Sequence, residues 1–121
     1  MKNILVVDDE LDILETIIDS LEIEFGDTIT IFRAENGKQA LEMFGENSQI
    51  DLIVTDLNMP DMDGLELTEN IKKIKSDTPI IVFTGHGDVE EKEKLASLGV
   101  VAMIKKPYVE DLVDEVSGVI Q

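Results

Sequence analysis

Ile4-Leu5-Val6-Val7-Asp8-Asp9 is the stretch from which the fold is read: four apolar residues in a row, closed by two carboxylates. The pattern returns along the chain. Leu52-Ile53-Val54-Thr55 runs into Asp56, Ile80-Ile81-Val82-Phe83 into Thr84, and Val100-Val101-Ala102-Met103-Ile104 into Lys105-Lys106-Pro107. Unbroken runs rich in β-branched residues predict strands buried on both faces, and therefore a parallel sheet covered by helices. In such sheets the ligand crevice lies beyond the carboxyl ends of the strands. The polar groups that close the runs are thus expected in one crevice. Carboxylates, a hydroxyl and an ammonium gathered there suit a divalent cation and a phosphoryl group.

The segments between the runs carry helical periodicity. Over residues 10–25, Leu11, Leu14, Ile17, Ile18, Leu21 and Phe25 fall on one face, and Gly26 follows where a helix commonly stops. Thr28-Ile29-Thr30-Ile31-Phe32 alternates like an edge strand, and Asn36 is placed to cap a helix with Ala40, Leu41 and Phe44 that ends near Gly45. A strand over 51–55 leads into Leu57-Asn58-Met59-Pro60-Asp61-Met62-Asp63-Gly64, a loop dense in turn formers. Leu67, Ile71 and Ile74 mark a third helix, and Pro79 opens the fourth strand. Gly85-His86-Gly87 reads as a flexible joint, and Asp88 as the N-cap of a helix ending near Leu98-Gly99. Residues 109–120 make a last helix with Leu112, Val113, Val116, Val119 and Ile120.

Five strands alternating with five helices predict a doubly wound α/β domain with a five-stranded parallel sheet. Right-handed crossovers and the strand order 2-1-3-4-5 put strands 1 and 3 side by side, so that Asp8-Asp9 faces Asp56. No internal repeat, low-complexity tract or linker interrupts the pattern, and residues 1–121 are expected to form a single domain.

Composition narrows the function classes. The 121 residues carry 27 acidic and 10 basic side chains, a net charge of −17. A surface so acidic is repelled by nucleic-acid phosphates and anionic lipid, so neither is expected as a partner. There is no cysteine, hence no disulfide or thiolate metal site. No apolar stretch approaches the length of a membrane span, and the expected location is the cytoplasm.

The strand-end residues carry the chemistry. A single aspartate at a strand end is ordinarily a turn former or a helix N-cap. Asp8, Asp9 and Asp56 together, with Thr84 and Lys106 at further strand ends, go beyond capping. Magnesium takes oxygen ligands, typically one or two carboxylates with water and a phosphate, and the three aspartates fit that demand. Their mutual repulsion opposes ionisation unless a cation or the Lys106 ammonium offsets it.

The motifs Val6-Val7-Asp8-Asp9-Glu10, Asp56-Leu57-Asn58-Met59-Pro60-Asp61-Met62-Asp63-Gly64, Thr84-Gly85-His86-Gly87-Asp88 and Lys105-Lys106-Pro107-Tyr108 stand in the order and spacing of one family. Over essentially its whole length the chain resembles the receiver domain of two-component response regulators, a flavodoxin-like fold. The resemblance implies that Asp56 is the phosphoacceptor, taking its phosphoryl group from a sensor histidine kinase or histidine phosphotransfer protein. It implies a magnesium site at Asp8, Asp9 and Asp56, with Asp9 the more direct ligand of the acid pair and the backbone carbonyl of Asn58 completing the set. Thr84 would hydrogen-bond a phosphoryl oxygen and Lys106 would pair with another. The Lys106–Pro107 bond is expected to be cis. Such a domain is a phosphoacceptor supporting its own phosphotransfer and dephosphorylation, not an enzyme in the ordinary sense. Phosphorylation would switch the strand 4–helix 4–strand 5 surface toward a downstream protein or an attached effector domain.

Some positions call for separate treatment. Met103 stands where many receivers carry an aromatic residue that swings inward, so a tyrosine–threonine style of coupling is not expected. Tyr108 is expected to pack its ring. His86, two residues beyond Thr84, reads first as a solvated loop residue and second as a modulator of dephosphorylation. Ile13 and Ile23 lie off the apolar stripe, and Ile13, close to the acid pair, is a candidate kinase contact. Two other readings compete. A haloacid-dehalogenase-type phosphatase needs Asp-x-Asp after the first strand, whereas this chain has Asp8-Asp9-Glu10. A receiver-like module working without phosphorylation usually lacks the acceptor, an acid or the lysine, and all are present.

Overall fold

Side chains of the apolar runs leave water on both faces of one sheet. The computed structural model, which describes residues 1–47 and 49–121, contains β1 (Lys2–Val7), α1 (Leu11–Phe25), a 3-10 turn (Gly26–Thr28), β2 (Ile29–Ala34), α2 (Gly37–Glu46), β3 (Leu52–Thr55), α3 (Gly64–Ile74), β4 (Ile80–Thr84), α4 (Val89–Ser97), β5 (Ala102–Lys105) and α5 (Val109–Ile120). The strands pair in parallel in the order β2-β1-β3-β4-β5. This is the expected doubly wound, flavodoxin-like topology.

The period-2 alternation of a strand sorts the core into two layers. Ile4 and Val6 of β1, with Leu52, Val54, Ile81 and Phe83, pack against Leu14, Ile17 and Leu21 of α1 and Leu112 and Val116 of α5. Leu5 and Val7, with Ile53, Ile80 and Val82, pack against Ala40 and Phe44 of α2, Leu67 and Ile71 of α3 and Leu95 of α4. Each fully buried aliphatic side chain contributes roughly 1.5–3 kcal/mol relative to exposure. Two covered faces explain why these runs lack polar alternation.

Side-chain caps start three helices, at Asn36 and Asp88 as expected and at Asp63 in addition. Asn36 accepts from the Gln39 N–H at 2.7 Å, Asp63 from Glu66 at 2.8 Å and Asp88 from Glu91 at 2.7 Å, the last within a full capping box. Gly26 closes α1 at φ +53°, a backbone region that favours glycine.

Several details differ from the sequence reading. Leu11 is 51% exposed, because it opens α1 at the rim of the sheet with no strand beneath it. Ile74, the last residue of α3, is likewise exposed. Ile13 is half-buried against the α1–α5 layer, since the apolar face of α1 is wider than the stripe drawn for it. The run 100–104 does not become a strand buried on both faces: β5 begins at Ala102, is an edge strand, and stays half-buried, with Val101 exposed. Tyr108 is 56% exposed rather than packed.

Gly64 fixes the loop that follows β3. A Cβ there would lie 2.3 Å from the Asp56 carbonyl oxygen and 2.8 Å from Leu57 Cα, while the Gly64 N–H donates to the Leu57 carbonyl at 2.7 Å. Backbone touches backbone, with no flexible side chain to yield. Gly64→Ala is expected to lose about 1–3 kcal/mol in urea unfolding. Gly118→Ala, at a helical position with open space around it, should instead gain about 0.5–1 kcal/mol.

Candidate functional site

The sheet ladder itself delivers the acidic residues. The backbone N–H of Asp8 donates to the Ala34 carbonyl of β2 at 3.2 Å, and that of Asp56 to the Val7 carbonyl of β1 at 3.0 Å. The two aspartates therefore sit one step beyond paired strands, at the carboxyl edge. Both are buried, Asp8 completely, whereas Asp9 between β1 and α1 is exposed. Asp8, Asp9 and Asp56 each offer a carboxylate oxygen within 4.8 Å of the others.

Lys106 reaches this group from beyond β5. Its backbone N–H donates to the Thr84 carbonyl at 2.9 Å, and the Lys106–Pro107 bond is cis as expected. Its Nζ lies 3.0 Å from Asp8 Oδ2, 3.1 Å from Asp56 Oδ2 and 3.2 Å from Glu10 Oε1. One ammonium thus faces three carboxylates. The second oxygens of the two aspartates have backbone donors: Asp56 Oδ1 accepts from the Leu57 N–H at 2.7 Å and Asp8 Oδ1 from the Glu10 N–H at 2.9 Å.

Asp8 Oδ2 stands apart. It is buried and pairs with Lys106 by charge, yet receives no hydrogen bond. Burial pushes the Asp8 carboxyl above the ordinary aspartate range, with the neighbouring Asp56 charge adding to it; the Glu10 N–H and Lys106 pull the other way and lose. Burial also depresses the Lys106 ammonium, but its pairing with Asp8 and Asp56 outweighs it, and its pKa rises. A buried carboxylate oxygen without a donor, beside two further carboxylates, is what an oxygen-seeking divalent cation would complete.

Thr84, at the end of β4, is buried, and its hydroxyl accepts the His86 backbone N–H at 3.3 Å. Asn58 is exposed two residues past Asp56, and His86 is exposed in the loop after β4. Thr84, His86, Lys92, Met103 and Lys105 line an open cavity of about 320 Å³ beside the crevice. The structure brings Asp8, Asp9, Asp56 and Lys106 together as the strand-end pattern required. It adds two residues to which the sequence reading gave no part. Glu10, third in an Asp-Asp-Glu run, pairs with Lys106; Gly64 clamps the backbone of Asp56. The run of three acids was a visible signal for the first. The second had none, because close approach of backbone segments leaves no mark in one sequence.

Fold and crevice together define a flavodoxin-like α/β domain with a lysine-bridged acidic site at its strand ends. The family model of the response regulator receiver domain matches residues 4–117, and the chain belongs to that family of two-component signalling domains. It is 34% identical to the chemotaxis protein CheY of Halobacterium salinarum over 120 residues, which cover 98% of this chain and 97% of CheY. It is 39% identical to the transcriptional regulatory protein FixJ of Rhizobium meliloti over 77 residues, or 64% of this chain and 38% of FixJ. A receiver domain protein from Clostridium thermocellum superposes with a TM-score of 0.89 at 34% identity, covering 99% of this chain and 94% of that one. The chain spans between 24% and 40% of the length of FixJ and four other transcriptional regulators it matches. Among the described residues, no helix is long and apolar enough to cross a membrane.

Two outcomes follow from the charges. Lys106→Met removes the counter-charge of two buried carboxylates and is expected to lower unfolding free energy on the order of 3 kcal/mol in metal-free buffer. Added magnesium should restore more stability to this variant than to wild type, read as the shift in urea midpoint. The raised pKa of Asp8 means that the folded state holds this proton more tightly than the unfolded chain. Its contribution is therefore fully present below the unfolded aspartate value and is lost as pH rises through the raised folded value. Metal-free Asp8→Asn should gain stability relative to wild type across that rise, and urea melts at stepped pH check the sign.

Proposed function

We propose that residues 1–121 form a single phospho-accepting receiver domain in which Asp56 takes a phosphoryl group from a phosphohistidine donor. The observation that carries this reading is the arrangement at Asp56. One carboxylate oxygen is held by the Leu57 N–H, and the other faces Lys106 beside Asp8 and Asp9. In the transfer an Asp56 oxygen bonds to phosphorus, the phosphorus–nitrogen bond of the donor breaks, and the imidazole leaves with that electron pair and takes up a proton. Positioning and charge stabilisation supply most of the catalysis in such a transfer. Lys106 faces the charge that develops on the phosphoryl oxygens. Asp8, Asp9, Asp56 and the Asn58 backbone carbonyl would hold Mg2+, which would spread the same charge. Hydrolysis of the aspartyl phosphate would return Asp56 to its starting state.

The switch follows from the same groups. A phosphoryl group brings negative charge and acceptor oxygens to the end of β3. The Thr84 hydroxyl, bonded to the His86 N–H in this state, would turn toward it and draw on the β4–α4 loop. The affected surface is β4–α4–β5, where Met103 borders the cavity without a ring to swing. The donor would be a sensor histidine kinase or histidine phosphotransfer protein. The receiver of the signal would be a downstream protein or an attached effector domain.

Incubation with acetyl phosphate is the direct test. Intact mass should show a magnesium-dependent gain of one phosphoryl group, and Asp56→Asn should show none. An unmodified wild type, under this donor and under a panel of histidine kinases, would favour a module that acts without phosphorylation.

A further inference from the structure

We propose that Glu10 is a positioning residue, whose carboxylate holds the Lys106 ammonium in the unphosphorylated protein and yields that place to a phosphoryl oxygen. The inference rests on reading Asp56 as the phosphoacceptor. It starts from a side chain that does not do its ordinary work. Glu10 occupies the N-cap of α1 but makes no side-chain capping bond. Its carboxylate instead reaches Lys106 Nζ at 3.2 Å, across 96 positions of sequence.

The backbone of Glu10 is held at both ends. Its N–H donates to Asp8 Oδ1 at 2.9 Å, and its carbonyl accepts from the Leu14 N–H at 2.9 Å. Only the side-chain torsions remain free, so the reach to Lys106 is set by the fold while its release is not opposed.

The three carboxylates around Lys106 are unequal. The side chains of Asp8 and Asp56 are 1% and 5% exposed, that of Glu10 62%. The ammonium hydrogen-bonds Glu10 and Asp56 with two of its three N–H donors and has Asp8 at 3.0 Å besides, so a phosphoryl oxygen competes with three carboxylates for its place. Displacing Asp8 would strand a buried charge, and Asp56 is the phosphorylated group itself and stays in the crevice. Glu10 swings into water at little cost, as exposed ion pairs do. It is the replaceable partner, and the incoming phosphoryl oxygen inherits its place.

Charge and reach are separable by substitution. Glu10→Gln removes the charge, while Glu10→Asp keeps it and shortens the side chain by one methylene. The initial rate of magnesium-dependent phosphorylation by acetyl phosphate, followed by intact mass, should rise about two- to fivefold in both variants. In metal-free protein labelled with 13C-lysine, the two Hε resonances of Lys106, inequivalent when the ammonium is held, should converge in both. Glu10→Asp behaving as wild type in both measurements would overturn the inference, since repulsion of the donor by charge alone would explain Glu10→Gln. Unchanged rates in both variants would overturn it as well. Wild type that takes no phosphoryl group, with Asp56→Asn identical, sinks the phosphoacceptor reading instead. The Lys106 resonances then decide the tether on their own: convergence supports it and no change ends it.

Discussion

A single ammonium shared by buried carboxylates is the constraint around which this domain is organised. Parallel strands β1 and β3 end side by side, and the ladder bonds from Asp8 and Asp56 to the neighbouring strands fix their main chain at the carboxyl edge. Two carboxylates taken out of water in one crevice repel each other and lose hydration. Lys106 answers that cost from the far side of the sheet. Its own main chain is pinned to Thr84, so the ammonium arrives through the fold rather than by a flexible search.

The answer is incomplete, and the function proposed for the site builds on that. Asp8 keeps one buried oxygen without a hydrogen bond and a raised pKa. A site left short of positive charge attracts a cation and, once the cation is present, tolerates added phosphoryl oxygens. A fully compensated buried pair would gain nothing from either. The net charge of −17 extends the same bias over the rest of the surface.

Physical links run outward from Asp56. Its neighbour Leu57 is buried, and a Cβ on Gly87 would lie 3.2 Å from Leu57 Cδ2. The β4–α4 loop therefore packs directly on the residue that follows Asp56. On the other side, a Cβ on Gly37 would meet the Met62 carbonyl oxygen at 2.7 Å, which sets the β3–α3 loop against the start of α2. The loop after Asp56 is thus held by a backbone approach at Gly37 and by the packing of the Leu57 side chain on Gly87.

Much of this was legible before any coordinate. Ile4 to Val7 and Ile80 to Phe83 have no polar alternation because both faces of their strands are covered, and burial on two faces writes itself into composition. Asn36, Asp63 and Asp88 cap helices through contacts only three residues away, which is why Asn36 and Asp88 could be assigned from local sequence. Leu11, Tyr108 and the run at Val100 are more exposed than their hydrophobicity implies, because hydrophobicity does not say where the sheet ends or which strand lies at its edge. The strand-end pattern determined that Asp8, Asp9, Asp56 and Lys106 would meet, with Thr84 at the neighbouring strand end. Tertiary structure alone decided how: which acid is buried, which oxygen lacks a donor, that Glu10 shares the ammonium, and that only glycine fits at Gly64 against the Asp56 carbonyl. Those are matters of a few tenths of an ångström between segments far apart in the chain, and a sequence specifies such distances only through the fold it makes.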